Sequence, residues 1–335
     1  MGPSPAMVAT ALYRRHGYGR CVHELALEAR GLTKRFGKVV ALDGLDLLVS
    51  PGESVAILGD AAAGKSTALR CFAGLVRPSS GTITLGGVDP RSRAGLAARA
   101  RIGYLGQEPG FYDWMTGREL LAYAVDLLGA ERSGASERVQ GMVDLVGLAP
   151  VADRRIAEYA LAQRARLGLG QALVGEPELL LLDEPLAGLD PAGRSEILEL
   201  LAELRVGASI VVATADVSLA ETAAARIVVL DQGRAVAAEP TPGLLDRVAS
   251  EEYVLETDAG PGLALAGLAA RLEREAWVSN VSTTDGAMRI SVSDEGRADH
   301  ELLPAIAATG MTVQALRRER PAVGTVVDRI REDAA

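Results

Sequence analysis

The sequence predicts an α/β domain with a mixed sheet, followed by a smaller α+β domain. Three observations support this prediction. A short apolar run at 54–58 leads into a glycine-rich loop and then into a helical pattern at 66–73. A second apolar run, at 179–182, ends in two acidic residues. Beyond a Pro- and Gly-rich stretch at 239–243, the order strand, helix, strand, strand, helix, strand is typical of a ferredoxin-like domain.

Composition narrows the possible functions. A length of 335 residues favours about two domains, and an apolar fraction of 48% is ample for buried cores. The net charge of −9 argues against a nucleic-acid-binding surface, so no nucleic-acid partner is expected. The cysteines, Cys21 and Cys71, make no disulfide framework, which fits a reducing cytoplasm. No apolar run is long enough to predict a transmembrane helix.

The chain is predicted to contain an extension and two domains. In residues 1–22 the apolar run precedes the arginines, which is the reverse of the order in a secretory signal. These residues are instead expected to form a flexible extension. A short amphipathic element that touches a partner is the alternative. The main domain covers 23–240 with a helical insertion at about 115–173, and a linker at 239–243 leads to an accessory or regulatory α+β domain at 241–335. The helices predicted inside the insertion lie at 117–128, 136–146 and 165–174.

An antiparallel β region is predicted to precede the glycine-rich loop. Leu25–Ala29 is expected to be an edge strand, and Val39–Leu42 and Leu45–Ser50 are expected to be strands separated by a turn at Asp43-Gly44. The aromatic residue of this region is Phe36. Its ring fits two interpretations, a core residue or a platform that stacks on an adenine base, and its position alone does not decide between them.

The glycine-rich loop matches the phosphate-binding pattern G-x-x-x-x-G-K-[ST]. Its residues are Gly59, Asp60, Ala61, Ala62, Ala63, Gly64, Lys65, Ser66 and Thr67. Backbone N–H groups of such a loop curl round a β-phosphate, and the following helix directs its positive dipole end at it. Lys65 would then reach the β- and γ-phosphates, and Ser66 would offer its hydroxyl to Mg²⁺. The alternative interpretation is a turn that matches the motif by chance. Such turns rarely have the complete motif between a strand and a helix.

Two acidic residues end the apolar run at 179–182. A buried strand of this kind presents carboxylates at its C-terminal edge, so Asp183 would hold Mg²⁺ and Glu184 could polarise an attacking water. An acidic turn is the structural alternative. Gln107 follows the predicted strand Ile102–Leu105 on an irregular loop, at the end of a strand where α/β sheets place ligand-contacting loops.

Together these motifs resemble the ATP-binding subunit of an ABC transporter over residues 24–238. The loop at 59–67 resembles the Walker A motif, and Leu179–Glu184 resembles the Walker B motif with its following glutamate. Gln107 resembles the Q-loop glutamine, and Phe36 falls on the adenine-stacking aromatic of the A-loop. In that family the fold is a P-loop NTPase with a mixed sheet core, an antiparallel β region and a helical insertion.

The resemblance implies a mechanism and partners. It implies binding of MgATP, with Ser66, Gln107 and Asp183 on the metal, and with Glu184 and Gln107 in catalysis. It also implies a head-to-tail homo- or heterodimer that drives a separate membrane permease, docked near the region after Gln107. Such a subunit acts in the cytoplasm, peripherally on the inner face of the cell membrane. The C-terminal part resembles the extension of daunorubicin-resistance-type exporter ATPases, whose closing motif R-E-P-x-L-E-x-V-F is approached by residues 319–327.

Three departures from the family pattern affect the reaction site. The signature L-S-G-G-Q is replaced by Tyr159–Gln163, Ala215 stands where the switch histidine should follow Ser209–Thr214, and Ala61-Ala62 replaces the usual asparagine–glycine pair. The first two predict slow hydrolysis. They leave open a degenerate ATP-binding module that pairs with a more complete ATPase. A soluble ABC protein of translation or DNA repair is disfavoured, because such chains usually carry two cassettes or a long coiled coil.

Overall fold

A computed structural model gives the fold. It describes residues 26–129, 134–204, 208–248, 252–257, 263–284, 287–319, 326–327 and 330. The predicted extension at 1–22 and most of the tail segment at 319–327 lie outside the described residues. The chain divides into two compact units, Met1–Thr241 and Pro242–Ala335.

Two sheets form the first unit. Its strands are β1 (Leu27–Phe36), β2 (Val39–Val49), β3 (Ser54–Leu58), β4 (Ser80–Leu85), β5 (Ile102–Leu105), β6 (Leu179–Asp183), β7 (Ser209–Thr214), β8 (Arg226–Asp231) and β9 (Arg234–Pro240). The larger sheet has the order β5-β6-β7-β3-β8-β9, with β9 antiparallel to β8 and the other neighbours parallel. Strands β3, β6 and β7 are buried along their whole length, as parallel strands covered on both faces should be. The predicted mixed sheet is therefore confirmed.

The second sheet has the order β2-β1-β4 and is antiparallel, which confirms the predicted antiparallel region. The prediction of an edge strand near Leu25–Ala29 is wrong, because Leu27 pairs with Val49 on one side and with Leu85 on the other. Leu27 and Ala29 are buried on one face, while Glu28 and Arg30 lie on the other. Alternation of this kind reports a half-buried sheet and does not distinguish a central strand from an edge strand.

The turn predicted at Asp43-Gly44 is also wrong, because β2 continues through both residues. Gly44 has a φ of +76° and donates its N–H to Thr33 Oγ1 at 3.2 Å. Asp43 donates its N–H to the Gly233 carbonyl oxygen at 2.9 Å. The glycine therefore produces a local irregularity inside the strand, where its φ costs little, and the chain does not reverse there.

The helices of the first unit follow the predicted order. They are α1 (Lys65–Phe72), α2 (Gly95–Arg99), α3 (Gly117–Leu127), α4 (Ala135–Leu145), α5 (Leu161–Leu173), α6 (Pro191–Leu204) and α7 (Val217–Ala223). Helix α1 packs into the core that both sheets share, where Leu69 and Phe72 are fully buried. Burial also raises the pKa of the Cys71 thiol to about 11, so this cysteine stays neutral.

Helix α5 begins four residues earlier than the predicted Ala165. Its cap explains the difference, because the Gln163 side-chain oxygen accepts the Ala160 N–H at 3.0 Å. This contact is half of a capping box, and Ala160 has no oxygen to complete the other half. Helix α3, by contrast, has both halves, formed by Thr116 and Glu119. Because Ala160 lacks the side-chain oxygen of a usual N-cap residue, the sequence predicts the start of α5 four residues too late.

The stretch at 239–243 is not an irregular linker. Pro240 ends β9, and Thr241 begins α8 (Thr241–Val248). Pro240 is tolerated because the last residue of the edge strand β9 needs no N–H donor. Pro242 is tolerated because the N–H groups in the first turn of a helix have no partner within the helix. The prolines thus mark the junction of two regular elements and do not interrupt them.

The second unit has the predicted ferredoxin-like order. Its elements after α8 are β10 (Glu252–Thr257), α9 (Leu263–Leu272), β11 (Val278–Thr284), β12 (Ala287–Val292), α10 (Glu295–Ala307) and β13 (Val313–Glu319). The strands form an antiparallel sheet in the order β11-β12-β10-β13. Trp277 anchors a core of its own, with its ring buried and its Nε1 donating to Glu301 at 3.0 Å.

Across the described part of the chain, every helix is either too short or too polar to traverse a lipid bilayer.

Candidate active site

Four of the predicted site residues, Lys65, Ser66, Asp183 and Glu184, form a bonded cluster at one edge of the larger sheet. Strands β6, β7 and β3 are parallel neighbours, so their carboxyl ends lie side by side. Leu58 pairs with Thr214, and Asp183 pairs with Ala213. The glycine-rich loop, the two acids and the segment after β7 therefore open on the same edge, where α/β sheets place their ligands.

The two glycines of the loop are required by close backbone contacts. A Cβ at Gly59 would lie 2.3 Å from the Leu230 carbonyl oxygen. A Cβ at Gly64 would lie 2.3 Å from the Ala41 carbonyl oxygen, and Gly64 has a φ of +105°. Ala62 also adopts a left-handed φ, of +66°, which costs an L-residue roughly 1–2 kcal/mol. The alanine thus keeps the loop geometry in which the family usually has glycine.

Lys65 bends back over this loop. Its ammonium Nζ donates to the carbonyl oxygens of Gly59 at 2.7 Å and Asp60 at 3.0 Å. It also forms an ion pair with Glu184 Oε1 at 3.1 Å, and the whole residue is only 6% exposed. The Lys65 ammonium is therefore held in the site by two carbonyl oxygens and a carboxylate. A bound phosphate would replace some of these contacts.

Ser66 and Asp183 form the second contact between the loop and β6. The Ser66 hydroxyl donates to Asp183 Oδ1 at 2.9 Å. Asp183 is fully buried, its Oδ2 has no hydrogen-bond partner among the described residues, and burial raises the pKa of its carboxyl above the usual range. A buried carboxylate oxygen without a partner, beside a hydroxyl oxygen, matches the oxygen ligands that Mg²⁺ prefers. These two residues therefore fit a magnesium site.

Glu184 follows directly and has a φ of +49°. Its Oε1 faces Lys65, and its Oε2 accepts the Thr214 hydroxyl at 3.1 Å and the Ala215 N–H at 3.2 Å. Sequence reasoning noted Thr214 only as the residue before Ala215. Its hydroxyl gave no signal in the sequence, because threonine is common in strands.

Gln107 is exposed on the loop after β5. Strand β5 lies next to β6, so the structure places Gln107 at the same sheet edge as Asp183. The hydrogen-bonded cluster that the described residues form joins Lys65, Ser66 and the two acids and does not include Gln107. Its role in catalysis and in metal binding stays a prediction.

Phe36 lies at the tip of the β1–β2 hairpin, opposite Val39. Its ring is 50% exposed, which excludes the core interpretation. The Lys34 ammonium lies 4.7 Å from the ring centre. The hairpin is close to the glycine-rich loop, since the Ala41 carbonyl, two residues beyond Val39, lies against Gly64. An exposed aromatic ring at the tip of a hairpin that packs against this loop suits a base-stacking role.

In the segment that replaces the signature, Ala160 and Leu161 are exposed at the start of α5, whereas Tyr159 is buried. Leu161 is 54% exposed, and one of its methyl groups lies against Gly188 in the turn before α6. In that turn the Asp190 carboxylate accepts the Gly193 N–H at 2.9 Å. At the first glycine position of the signature, the exposed surface is therefore a leucine side chain in place of glycine backbone.

Comparisons with known proteins agree with this geometry. Residues 42–187 match the ABC transporter family model. The chain is 32% identical to the daunorubicin resistance ATP-binding protein DrrA2 of Streptomyces coeruleorubidus, over 91% of this chain and 94% of that protein. A match of this length must include part of the second unit. The chain is also 38% identical to the uncharacterized ABC transporter ATP-binding protein YxlF of Bacillus subtilis, over 62% of this chain and 68% of that protein.

Among solved structures, cbiO1 from Clostridium perfringens, part of an ABC transporter complex, superposes with a TM-score of 0.61. It is 28% identical and covers 67% of this chain and 91% of its own. The lysine, serine and paired acids thus converge in a chain whose fold and sequence both match this family. The protein belongs to the ABC transporter family, in which it is a daunorubicin-resistance-like ATP-binding subunit and an ATPase.

Proposed function

We propose that this chain binds MgATP, hydrolyses it slowly and drives a separate membrane permease for export. The observation that supports the proposal most is the cluster at the ends of β3 and β6. There Lys65 contacts Glu184, and Ser66 contacts Asp183. A cation and a hydroxyl at the start of a helix, with a buried acid and a second acid at the end of a strand, are the groups that phosphoryl transfer needs.

Each group has a defined task in this proposal. The loop N–H groups and Lys65 hold the phosphates, so Lys65 releases Glu184 when nucleotide enters. Ser66 and Asp183 would hold Mg²⁺, with Gln107 as a further ligand, and a metal ion there would supply positive charge beside the phosphate oxygens. Glu184 then orients the attacking water.

Slow hydrolysis follows from two side chains. At Ala215 the backbone N–H contacts Glu184, but no imidazole extends toward the γ-phosphate. At the signature position, exposed Leu161 presents a side chain where close backbone approach is needed. The same observations favour a second candidate function, an ATP-binding module that pairs with a more complete ATPase in a heterodimer.

Features near Gln107 support docking of a permease. A cavity of about 350 Å³ opens beside the loop after β5 and is lined by Tyr104, Pro109 and Gly168 among others. Exposed Trp114 and Tyr112 follow, and exposed aromatic residues are common at protein interfaces. In this proposal the subunit works in the cytoplasm on the inner face of the cell membrane. The name of the DrrA2 relative supports export.

Purification of the tagged chain from detergent-solubilised host membranes tests the proposal. We expect a polytopic membrane protein to co-purify, and we expect ATP turnover in the reconstituted complex. Recovery of a second, more complete ABC ATPase would favour the heterodimer. Recovery of the chain without any membrane protein would contradict the transporter role.

Replacing Phe36 with alanine should weaken ATP binding about tenfold, because base–aromatic stacking contributes about 1–3 kcal/mol. Phe36→Trp should retain the parent affinity. Isothermal titration with MgATP measures both dissociation constants. Val39→Ala is the matched control, since Val39 is exposed and pairs with Phe36 across the hairpin. An unchanged affinity in Phe36→Ala would rule out stacking on this ring.

A chain that ends after Thr241 should stay soluble and bind MgATP. The boundary of the two units falls there, and Thr241 bonds within the first unit, its N–H to Ala225 O at 2.9 Å and its hydroxyl to Ala224 O at 2.8 Å. The second unit has its own core, so we propose that it folds separately. Circular dichroism and MgATP titration check the truncation. A folded truncation that no longer binds MgATP would show that nucleotide binding requires the second unit, contrary to this prediction.

A further inference from the structure

We propose that Thr214 is a positioning residue for hydrolysis. Its hydroxyl, together with the Ala215 N–H, holds Glu184 where a switch-histidine side chain is missing. The inference rests on the proposed function, because it takes Glu184 as the group that orients the attacking water. It adds a residue that has no reacting group of its own and acts through Glu184.

The direction of the Thr214 hydroxyl is fixed by its neighbours. Thr214 is 1% exposed at the end of β7. Its Oγ1 accepts the Asp216 N–H at 2.9 Å and lies 3.1 Å from Glu184 Oε2. An ionised carboxylate can only accept, and a hydroxyl has a single proton to donate. The Thr214 proton therefore points at Glu184.

Thr214 is itself anchored on both sides. Its carbonyl oxygen accepts the Gly59 N–H at 3.2 Å, which ties the end of β7 to the start of the phosphate loop. Beyond it, Asp216 caps α7 by accepting the Leu219 N–H at 3.0 Å and pairs with Arg194 of α6. The donor that faces Glu184 thus sits on a segment held by three elements, as preorganised groups require.

The two oxygens of Glu184 have different surroundings. Its backbone is fixed by a bond from its N–H to Ala213 O at 2.8 Å. Oε2 is held by the Thr214 and Ala215 donors, whereas Oε1 contacts Lys65. When Lys65 turns to the phosphates, Oε1 becomes available to a water while Oε2 stays held. One oxygen therefore positions the carboxylate and the other serves the water.

Four variants test this division: Thr214→Val, Thr214→Ser, Glu184→Gln and the double variant of Thr214→Val with Glu184→Gln. Valine keeps the branched shape without the hydroxyl, and serine keeps the hydroxyl without the methyl group. We measure the MgATP dissociation constant by calorimetry and the single-turnover rate from release of radiolabelled phosphate. Circular dichroism confirms the fold, and Thr214→Ala replaces the valine variant if valine does not fold.

Thr214→Val should bind MgATP within about threefold of the parent, because the Thr214 hydroxyl bonds to Glu184 and to the Asp216 N–H rather than to Lys65 or Ser66. Its single-turnover rate should fall about tenfold, the effect of one hydrogen bond to a charged group. Thr214→Ser should stay within about twofold of the parent rate. In the Glu184→Gln background, Thr214→Val should cause no further loss, because the two residues act as one unit.

Several results would overturn the inference. They are a Thr214→Val rate equal to the parent rate, a serine variant as slow as the valine variant, additive losses in the double variant, and a parent that binds MgATP but releases no phosphate. A purely structural role for Thr214 predicts additive losses. A parent that does not bind MgATP would instead overturn the proposed function, so the two failures are distinguishable.

Discussion

Replacing Lys65 with alanine should raise the MgATP dissociation constant about a hundredfold, because a charged hydrogen bond to phosphate contributes about 1.5–3 kcal/mol. The ammonium supplies a point charge that no other side chain in the cluster can replace, since its neighbours there are a serine and two acids. Removal of Lys65 also leaves Glu184 facing the phosphates without the cation that balances it. The expected loss therefore combines a missing attraction with an unscreened repulsion.

Calorimetry with MgATP measures this effect, and circular dichroism checks the fold. Lys38→Ala is the matched control, because it removes the same charge from an exposed position in the turn after Phe36. Lys65→Arg keeps the charge but should bind weakly as well, since Lys65 is only 6% exposed and a planar guanidinium is larger than an ammonium. If Lys65→Ala bound MgATP as tightly as the parent, the loop would not be the phosphate site.

The parts of the site that the sequence predicts are those with continuous patterns. The strands at 54–58 and 179–182 are buried on both faces. Strands of this kind consist of uninterrupted apolar residues, so the sequence alone identifies them. The glycines at 59 and 64 are required by backbone contacts, which a motif captures directly. Loop chemistry and buried strands therefore predict Lys65, Ser66 and both acids as site residues, and these four side chains lie together in the structure.

The parts that the sequence does not predict depend on tertiary contacts. Asp43-Gly44 is a turn signal by composition, but bonds from Gly44 to Thr33 and from Asp43 to Gly233 keep both residues within β2. Thr214 acquires its bond to Glu184 only because β6 and β7 are neighbours. These contacts join residues that are distant in sequence, so local sequence patterns cannot predict them.

Restoring the missing groups should raise turnover about 10²-fold or more, since one preorganised donor contributes about 10² to 10³ in rate. The variant combines Ala215→His with Ala160→Ser, Leu161→Gly and Ala162→Gly. Ala215 is exposed and its N–H already contacts Glu184, so an imidazole at this position can extend toward the γ-phosphate. In a homodimer each site lacks its own histidine and its partner's signature, and both are supplied together.

The signature changes also alter the start of α5. Ala160 is its N-cap in an extended conformation, where serine is favoured and stabilises a helix by about 1 kcal/mol. The two glycines cost about 1 kcal/mol each in helix propensity, so the variant should be only slightly less stable than the parent. Thermal unfolding measures this balance separately from turnover.

Partial variants separate the contributions of the two groups. By resemblance, the histidine serves the nucleotide of its own chain and the signature serves the nucleotide of the partner. Each change alone should therefore raise turnover less than the combination does. Ala225→His is the matched control, because it adds an imidazole at an exposed position beside the amino end of β3, where Ala225 donates its N–H to Ser54 O at 2.9 Å.

Two outcomes would contradict this account of slow hydrolysis. A parent homodimer that turns over at about 1 s⁻¹ or faster already has ordinary enzyme activity, so other side chains would supply the missing contacts. A folded restored variant that is no faster than the parent would show that these positions do not limit the rate. A large increase would instead locate the defect at Ala215 and at the signature, because Lys65, Ser66 and both acids are unchanged in every variant.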